Sequence, residues 1–164
     1  MQQKKLKIGL VGVGHLGKIH LNCIQQILEL ELSGIFDIDV DEKNRVAQQF
    51  KVNSFNTYEE LLAASDAVDI VSSTSSHFQL AKSAISNNKH CFIEKPVTST
   101  LEEALELKNL LANHPVNVQI GHVERFNPSF AAIREFIKQP KFIEAHRLSS
   151  FNPRGRAPSL MSQV

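Results

Sequence analysis

Gly12-Val13-Gly14-His15-Leu16-Gly17 is the stretch on which the reading of this chain turns. It fits G-x-G-x-x-G, a pattern that is weak alone and informative in context. Before it, Lys5 to Val13 is a short apolar run, too continuous for a half-exposed strand. Such a run suits a strand buried on both faces of a parallel sheet. After it, His15 to Glu29 has helical spacing, with Leu16, Ile19, Ile24, Ile27 and Leu28 on one stripe. A strand, a glycine turn and a helix form the setting in which this pattern binds a dinucleotide pyrophosphate. Gly12 permits the tight turn, Gly14 lets the backbone approach the phosphates, and Gly17 lets the helix pack close to the sheet. With His15 and Leu16, the helix start offers free N–H groups and a partial positive charge.

The next apolar run, Leu32 to Phe36, closes on Asp37. A carboxylate there can accept both hydroxyls of an adenosine ribose and repels a 2′-phosphate. The expected cofactor is therefore NAD, with NADP disfavoured. Asp39 reads as a helix cap.

Further along, strand-like and helix-like segments alternate. Helix starts are marked by Asp39 with Glu42, Thr57 with Glu60, Ser76 with Gln79 and Ser99 with Glu102, each a capping-box spacing. They open helices such as Asp39 to Phe50 and Thr57 to Ala64. Between them lie the short runs Val68 to Ser72, His90 to Ile93 and Val116 to Ile120. In this count the run ending at Ser72 is the fourth strand and the one ending at Ile120 the sixth. The expected fold is α/β, a doubly wound parallel sheet of Rossmann type with right-handed crossovers. There is no internal repeat or low-complexity segment.

The alternation stops after Gly121. Pro128 to Lys138 reads as one helix with Asn127 as cap, Phe142 to Leu148 as a strand, and Phe151 to Val164 as a Pro-, Gly-, Ser- and Arg-rich tail. The expected domains are a dinucleotide-binding domain over 1–121 and, over 122–164, a truncated remnant of a second α+β domain. A lone strand over 142–149 would expose a pairing edge, so a homo-oligomer joined there is expected.

Composition narrows the function class. The 164 residues carry 18 Lys and Arg against 17 Asp and Glu, a formal net charge of +1. No broad field draws such a chain to nucleic acid. No apolar run reaches the ~20 residues of a membrane span. The basic start from Met1 to Lys7 mimics a secretory signal, but glycines at 9, 12, 14 and 17 interrupt the apolar stretch behind it. Cys23 and Cys91 lack metal-type spacing and read as buried reduced thiols of a cytoplasmic protein. The seven histidines form no metal pattern; His20, His90, His114 and His146 are expected to be structural or superficial.

Glu94-Lys95-Pro96 follows the run Cys91-Phe92-Ile93 directly. With the glycine turn, with Ser72 to His77, and with Gly121-His122-Val123-Glu124-Arg125-Phe126-Asn127-Pro128, the chain resembles the Gfo/Idh/MocA family of oxidoreductases over residues 5 to about 150. The last stretch resembles the bacterial subgroup that includes UDP-N-acetylglucosamine 3-dehydrogenases. The resemblance implies an NAD-dependent oxidation of a ring hydroxyl on a sugar or nucleotide sugar. It implies that Lys95 is the catalytic residue, beside the nicotinamide and the reacting carbon. Losing hydride from a secondary alcohol requires the hydroxyl proton to leave too, and a lysine can assist.

By the same resemblance Glu94 either orients Lys95 or touches the cofactor. Pro96 fixes the turn, with a cis Lys95–Pro96 bond as the expectation. Ser72 and Ser73 stand where the family usually has Thr-Pro, a departure expected to loosen a turn beside the nicotinamide ribose. His77 either touches the cofactor or caps the helix there. His122, Glu124, Arg125 and Asn127 border the substrate, with Arg125 holding a phosphate or Glu124; alternatively this loop is a hinge braced by its own ion pairs. Family members usually add a substrate domain with a D-x-x-x-H motif, and no such motif follows Arg147. This chain is therefore expected to be weakly active or inactive, or else a dinucleotide-binding fragment without turnover. Arg147, Arg154 and Arg156 either touch a nucleotide-sugar phosphate or, the favoured expectation, sit in a disordered tail.

Overall fold

In the computed structural model, which describes residues 4–134, 136–139, 141–144 and 146, the short apolar runs pair into one sheet. Strands β1 (Leu6–Val11), β2 (Leu30–Phe36), β3 (Ala67–Ile70), β4 (His90–Ile93) and β5 (Val118–Ile120) lie in the order β2-β1-β3-β4-β5. All neighbours are parallel. Parallel neighbours need crossovers, and helices supply each of them. Helices α1 (His15–Gln26) and α2 (Val40–Phe50) cover one face, and α3 (Tyr58–Ala64), α4 (Thr74–Ser86) and α5 (Leu101–Leu111) the other.

The strand period of two feeds both faces. Leu10 joins Val13, Leu21, Ile24, Ile35 and Val46, whereas Val11 joins Leu61, Val68, Ile70, Ile85, Ile93 and Leu107. Each such side chain contributes roughly 1.5–3 kcal/mol on burial. The chain runs from β1 to one side, then returns to place β3 on the other. Ligand crevices in open α/β sheets form at that reversal, beyond the strands' carboxyl ends.

Several expectations shift. The sheet has five strands among the described residues, not six, because the segment before α3 makes only a single bridge, Ile35 to Ser54. Val68–Ser72 and Val116–Ile120 thus belong to the third and fifth strands. On α1 the buried residues are Gly17, Leu21 and Ile24, while Leu16, Ile19 and Leu28 are exposed. Cys91 is buried, its thiol pushed up to about 12 by burial, but Cys23 is exposed.

The caps also sort themselves out. Asp39 accepts the Glu42 N–H at 3.0 Å, yet the Glu42 side chain turns to Lys18 at 2.6 Å and to Arg45. Thr57 and Glu60 form the full box. The α5 box is Thr100 with Glu103, one residue beyond the expected Ser99 with Glu102. Thr98 settles that frame, its hydroxyl donating to the Thr100 carbonyl at 2.8 Å. Helix α4 starts at Thr74 rather than at a Ser76 cap, and no side chain caps it.

The chain divides into two compact units, Met1–Val123 and Glu124–Val164. Within the second, α6 runs only over Pro128–Ile133, shorter than the expected helix to Lys138. Asn127 caps it, accepting the Ser129 N–H at 3.0 Å. No strand occurs at 142–144 or 146. Residues 145 and 147–149 of the expected strand lie outside the described residues, as do Arg147, Arg154 and Arg156.

The frame of the α5 cap is testable. Thr100→Ala should cost ~1 kcal/mol in urea unfolding, as cap losses do, and Ser99→Ala should stay within about 0.5 kcal/mol.

Candidate functional site

β1 ends in a turn that only bare backbone can make. Gly12 has a φ of +90°, and a Cβ there would lie 2.6 Å from the Ser72 nitrogen. Its N–H donates to the Phe36 carbonyl at 2.9 Å, carrying the sheet pairing one residue further. A Cβ on Gly17 would lie 2.0 Å from the Gly12 oxygen, so the start of α1 rests on the turn itself. Gly14 is different: a Cβ there would meet no atom within 4 Å. The space above it is open.

Two helices begin around this opening, and they are the two in the sheet unit that lack a side-chain cap. Gly14 and Ser73 occupy the cap positions of α1 and α4 with no side-chain bond to their first turns. Helices α2, α3 and α5 are all capped by side chains. An uncapped first turn leaves N–H donors and a partial positive charge for an anion. Three serines fix the α4 start: Ser72 and Ser76 hydroxyls lie 2.7 Å apart, and Ser76 donates to the Ser73 carbonyl at 2.8 Å. These bonds hold the turn that the missing Thr-Pro was expected to leave loose.

Asp37 closes the other end. Its Oδ2 accepts the Val13 N–H at 2.8 Å and its Oδ1 the Asp39 N–H at 3.0 Å. Each carboxylate oxygen can take a second donor, so the group is oriented and still able to receive ribose hydroxyls. A cavity of about 580 Å³ joins these parts. Its wall includes Gly12, Gly14, His15, Leu16, Asp37, Ser72 and Ser73 of the expected set. Sequence reasoning missed Val11, Phe36, Ile38, Val71, Ser75, Ser76 and Leu80 in the same wall; Ile38 follows Asp37 directly, a signal that was available. The residues fit a dinucleotide.

The other expected contacts lie elsewhere. Gly17 supports the turn from beneath. His77 is 1% exposed, with its ring nitrogens 2.9 Å from the Pro96 oxygen and 3.1 Å from the Ser72 oxygen. It faces the two loops from inside the fold instead of facing the cavity. Glu94 is buried, and its Oε2 accepts the Lys95 N–H at 3.1 Å. Lys95 is exposed, and its bond to Pro96 is cis. His122 is exposed on the turn after β5.

Glu124, Arg125 and Asn127 belong to the second unit. There Asn127 donates to Glu124 at 2.9 Å, and Glu124 and Arg125 line a broad hollow with Phe130, Ala131, Arg134 and Ile137. No group of three potential metal ligands occurs among the described residues. No described helix is long and apolar enough to cross a membrane.

The sequence reading also missed a buried cluster. His20 of α1 lies 2.9 Å from Asp69 and 3.5 Å from Glu94. The available signal was an acid inside the otherwise apolar run Ala67-Val68-Asp69-Ile70, because a buried carboxylate requires a partner.

Comparison with known proteins follows the same lines. Residues 6–122 match the family model described as an oxidoreductase family with an NAD-binding Rossmann fold, GFO_IDH_MocA. UDP-N-acetylglucosamine 3-dehydrogenase from Acidithiobacillus ferrooxidans is 37% identical over 150 residues, 91% of this chain and 47% of that one. A crystal structure of that enzyme superposes with a TM-score of 0.85 at 36% identity, covering 93% of this chain and 50% of the other. Scyllo-inositol dehydrogenase from Lactobacillus casei, solved with NAD(H) and scyllo-inositol, gives a TM-score of 0.76 at 31% identity, over 82% of this chain and 41% of that one. The chain spans about half the length of the curated relatives it matches.

The glycines separate binding from folding. Gly14→Ala should leave unfolding free energy within about 0.5 kcal/mol of the parent while abolishing dinucleotide binding in a fluorescence titration. Gly17→Ala should lower the melting temperature, since its new methyl group strikes the Gly12 carbonyl.

Proposed function

Because the chain belongs to the Gfo/Idh/MocA oxidoreductase family, we propose that its first unit binds NAD as the cofactor half of a dehydrogenase. The substrate class is a sugar or nucleotide sugar, oxidised at a ring hydroxyl. One observation carries this reading: the uncapped start of α1 opens over the empty space at Gly14, with a fixed Asp37 at the far end. That arrangement suits a diphosphate flanked by an unphosphorylated ribose.

The cofactor would supply a hydride acceptor. The chain supplies the rest. Donors at the α1 and α4 starts hold the diphosphate. Asp37 accepts the adenosine ribose hydroxyls and repels a 2′-phosphate, which favours NAD over NADP. As the alcohol carbon loses hydride, Lys95 Nζ takes the hydroxyl proton and a ketone forms. Glu94 holds the Lys95 main chain through its N–H. We assign His122, Glu124, Arg125 and Asn127 to the substrate side, with the second unit as the beginning of a substrate domain. The free thiols of Cys23 and Cys91 suit a reducing compartment, the cytoplasm.

Titration with NADH should quench or enhance nucleotide fluorescence saturably, with NADPH binding more weakly. Asp37→Asn keeps an acceptor for the Val13 N–H and removes the charge. It should raise NADPH affinity relative to NADH by about tenfold, ~1.4 kcal/mol. Hydride transfer to NAD from a panel of sugars and nucleotide sugars should vanish in Lys95→Met with NADH binding intact. Full activity in that variant would remove Lys95 from the mechanism. Binding with no transfer across the panel would mark a dinucleotide-binding module without turnover.

A further inference from the structure

One turn beyond Gly17, α1 carries a histidine gripped by two acids of the sheet. His20 Nδ1 lies 2.9 Å from Asp69 Oδ2, and His20 Nε2 lies 3.5 Å from Glu94 Oε1. The Phe92 ring packs edge-on against the imidazole, with centroids 5.9 Å apart. Both acids are buried. Gly121, just past β5, leaves the room that Glu94 occupies, since a Cβ there would lie 2.5 Å from Oε1. The other oxygen of Glu94 accepts the Lys95 N–H at 3.1 Å. Groups from α1, β3 and the ends of β4 and β5 therefore converge on one carboxylate, which in turn holds the main chain of the lysine.

The geometry of the trio favours a protonated imidazole. A neutral imidazole has one N–H and would present a lone pair to one of its acids; an imidazolium donates to both. Asp69 chiefly, with Glu94 adding, holds His20 above the ordinary imidazole range against the opposing effect of burial. Burial pushes the Asp69 carboxyl up, opposed by His20. Asp69 Oδ1 is buried with no hydrogen-bond partner among the described residues. Buried ionic groups of this kind seldom stabilise a fold better than apolar side chains of the same volume. Stability alone gives this trio no purpose.

We propose that His20 is a positioning residue: anchored by Asp69, its ring turns the Glu94 carboxylate under the sheet edge, and Glu94 thereby sets the main chain at Lys95. The inference rests on the reading of Lys95 as the proton acceptor. It adds a mechanical link, because the helix that receives the diphosphate at its first turn grips the catalytic segment from its second. Seating of the cofactor and placement of the lysine share one strut.

Protonation of His20 controls the link. The charged groups facing the ring are Asp69 from β3 and Glu94 from the end of β4; Lys18, on the same helix, pairs with Glu42. The folded-state value is raised, so the brace is complete below the ordinary imidazole range, ~6.5. It is lost as pH climbs through the raised value.

Nitrogen-15 NMR of the whole chain across this pH range tests the proposal. Expected are two protonated His20 ring nitrogens below the ordinary imidazole range, ~6.5, and a Lys95 amide shift that moves with the His20 midpoint. The Lys95 step should be lost in His20→Gln and, separately, in Glu94→Gln. A Lys95 amide that stays still through the His20 titration, or a step that survives in folded His20→Gln, overturns the proposal. Should that variant not fold, the titration of the unaltered chain decides. NADH added to the same samples keeps the two readings apart. Failure to bind overturns the cofactor assignment, whereas binding without a linked Lys95 step overturns the role of His20.

Discussion

The α-carbon of Gly17 lies against the carbonyl of Gly12, so close that a methyl group would sit 2.0 Å from the oxygen. Much of the molecule's behaviour descends from this contact. It places the first turn of α1 directly over the end of β1, the strand next to the topological reversal. Gly12 itself is in a left-handed conformation, with its α-carbon against the Ser72 backbone. The loops after β1 and β3 therefore meet backbone to backbone. No side chain intervenes where a diphosphate would have to approach, and both loops are set by the packing of the sheet.

The same contact separates stability from function among the helices. Helices α2, α3 and α5 close their first turns with Asp39, Thr57 and Thr100, and each cap contributes ~1 kcal/mol. The two uncapped helices forgo that contribution and open on one cavity. Helices α2 and α5 also start beyond strand carboxyl ends and carry caps, so position in the sheet alone does not account for the two that lack them. Anion binding explains the pattern, because a cap and a bound phosphate compete for the same N–H groups.

What could be read from the chain followed the range of the interactions. The glycine turn, the acid at the end of β2 and the alternation of strand and helix are local or periodic, and the fold came out of them. Capping frames were less secure: Ser99–Glu102 and Thr100–Glu103 both satisfy the spacing, and a bond from Thr98 selects between them. The stripe on α1 went astray for a sharper reason. Leu16 and Ile19 are the apolar candidates, but the rotation of the helix is set by Gly17, which must face the turn. Leu21 and Ile24 follow it at four and seven residues and take the core. Partners across the sheet were not legible at all, since nothing in the order of residues tells His20 that Asp69 lies 49 positions away.

The rotation set by Gly17 also settles where His20 points. Three residues on from a glycine that faces the sheet, a side chain lies at the same face one turn later. There it meets the edge where Asp69 and Glu94 emerge. Two buried carboxylates so close to one imidazole would repel each other, and in a poorly solvated interior such repulsion is weakly screened. The His20 imidazole between them, held above its ordinary range, offsets part of that repulsion, although Asp69 Oδ1 has no hydrogen-bond partner among the described residues. The glycine that makes the turn thus also brings His20 between the two acids, and one of those acids is the one that accepts the Lys95 N–H. Packing geometry at one α-carbon connects the cofactor site to the lysine without any side chain crossing the crevice.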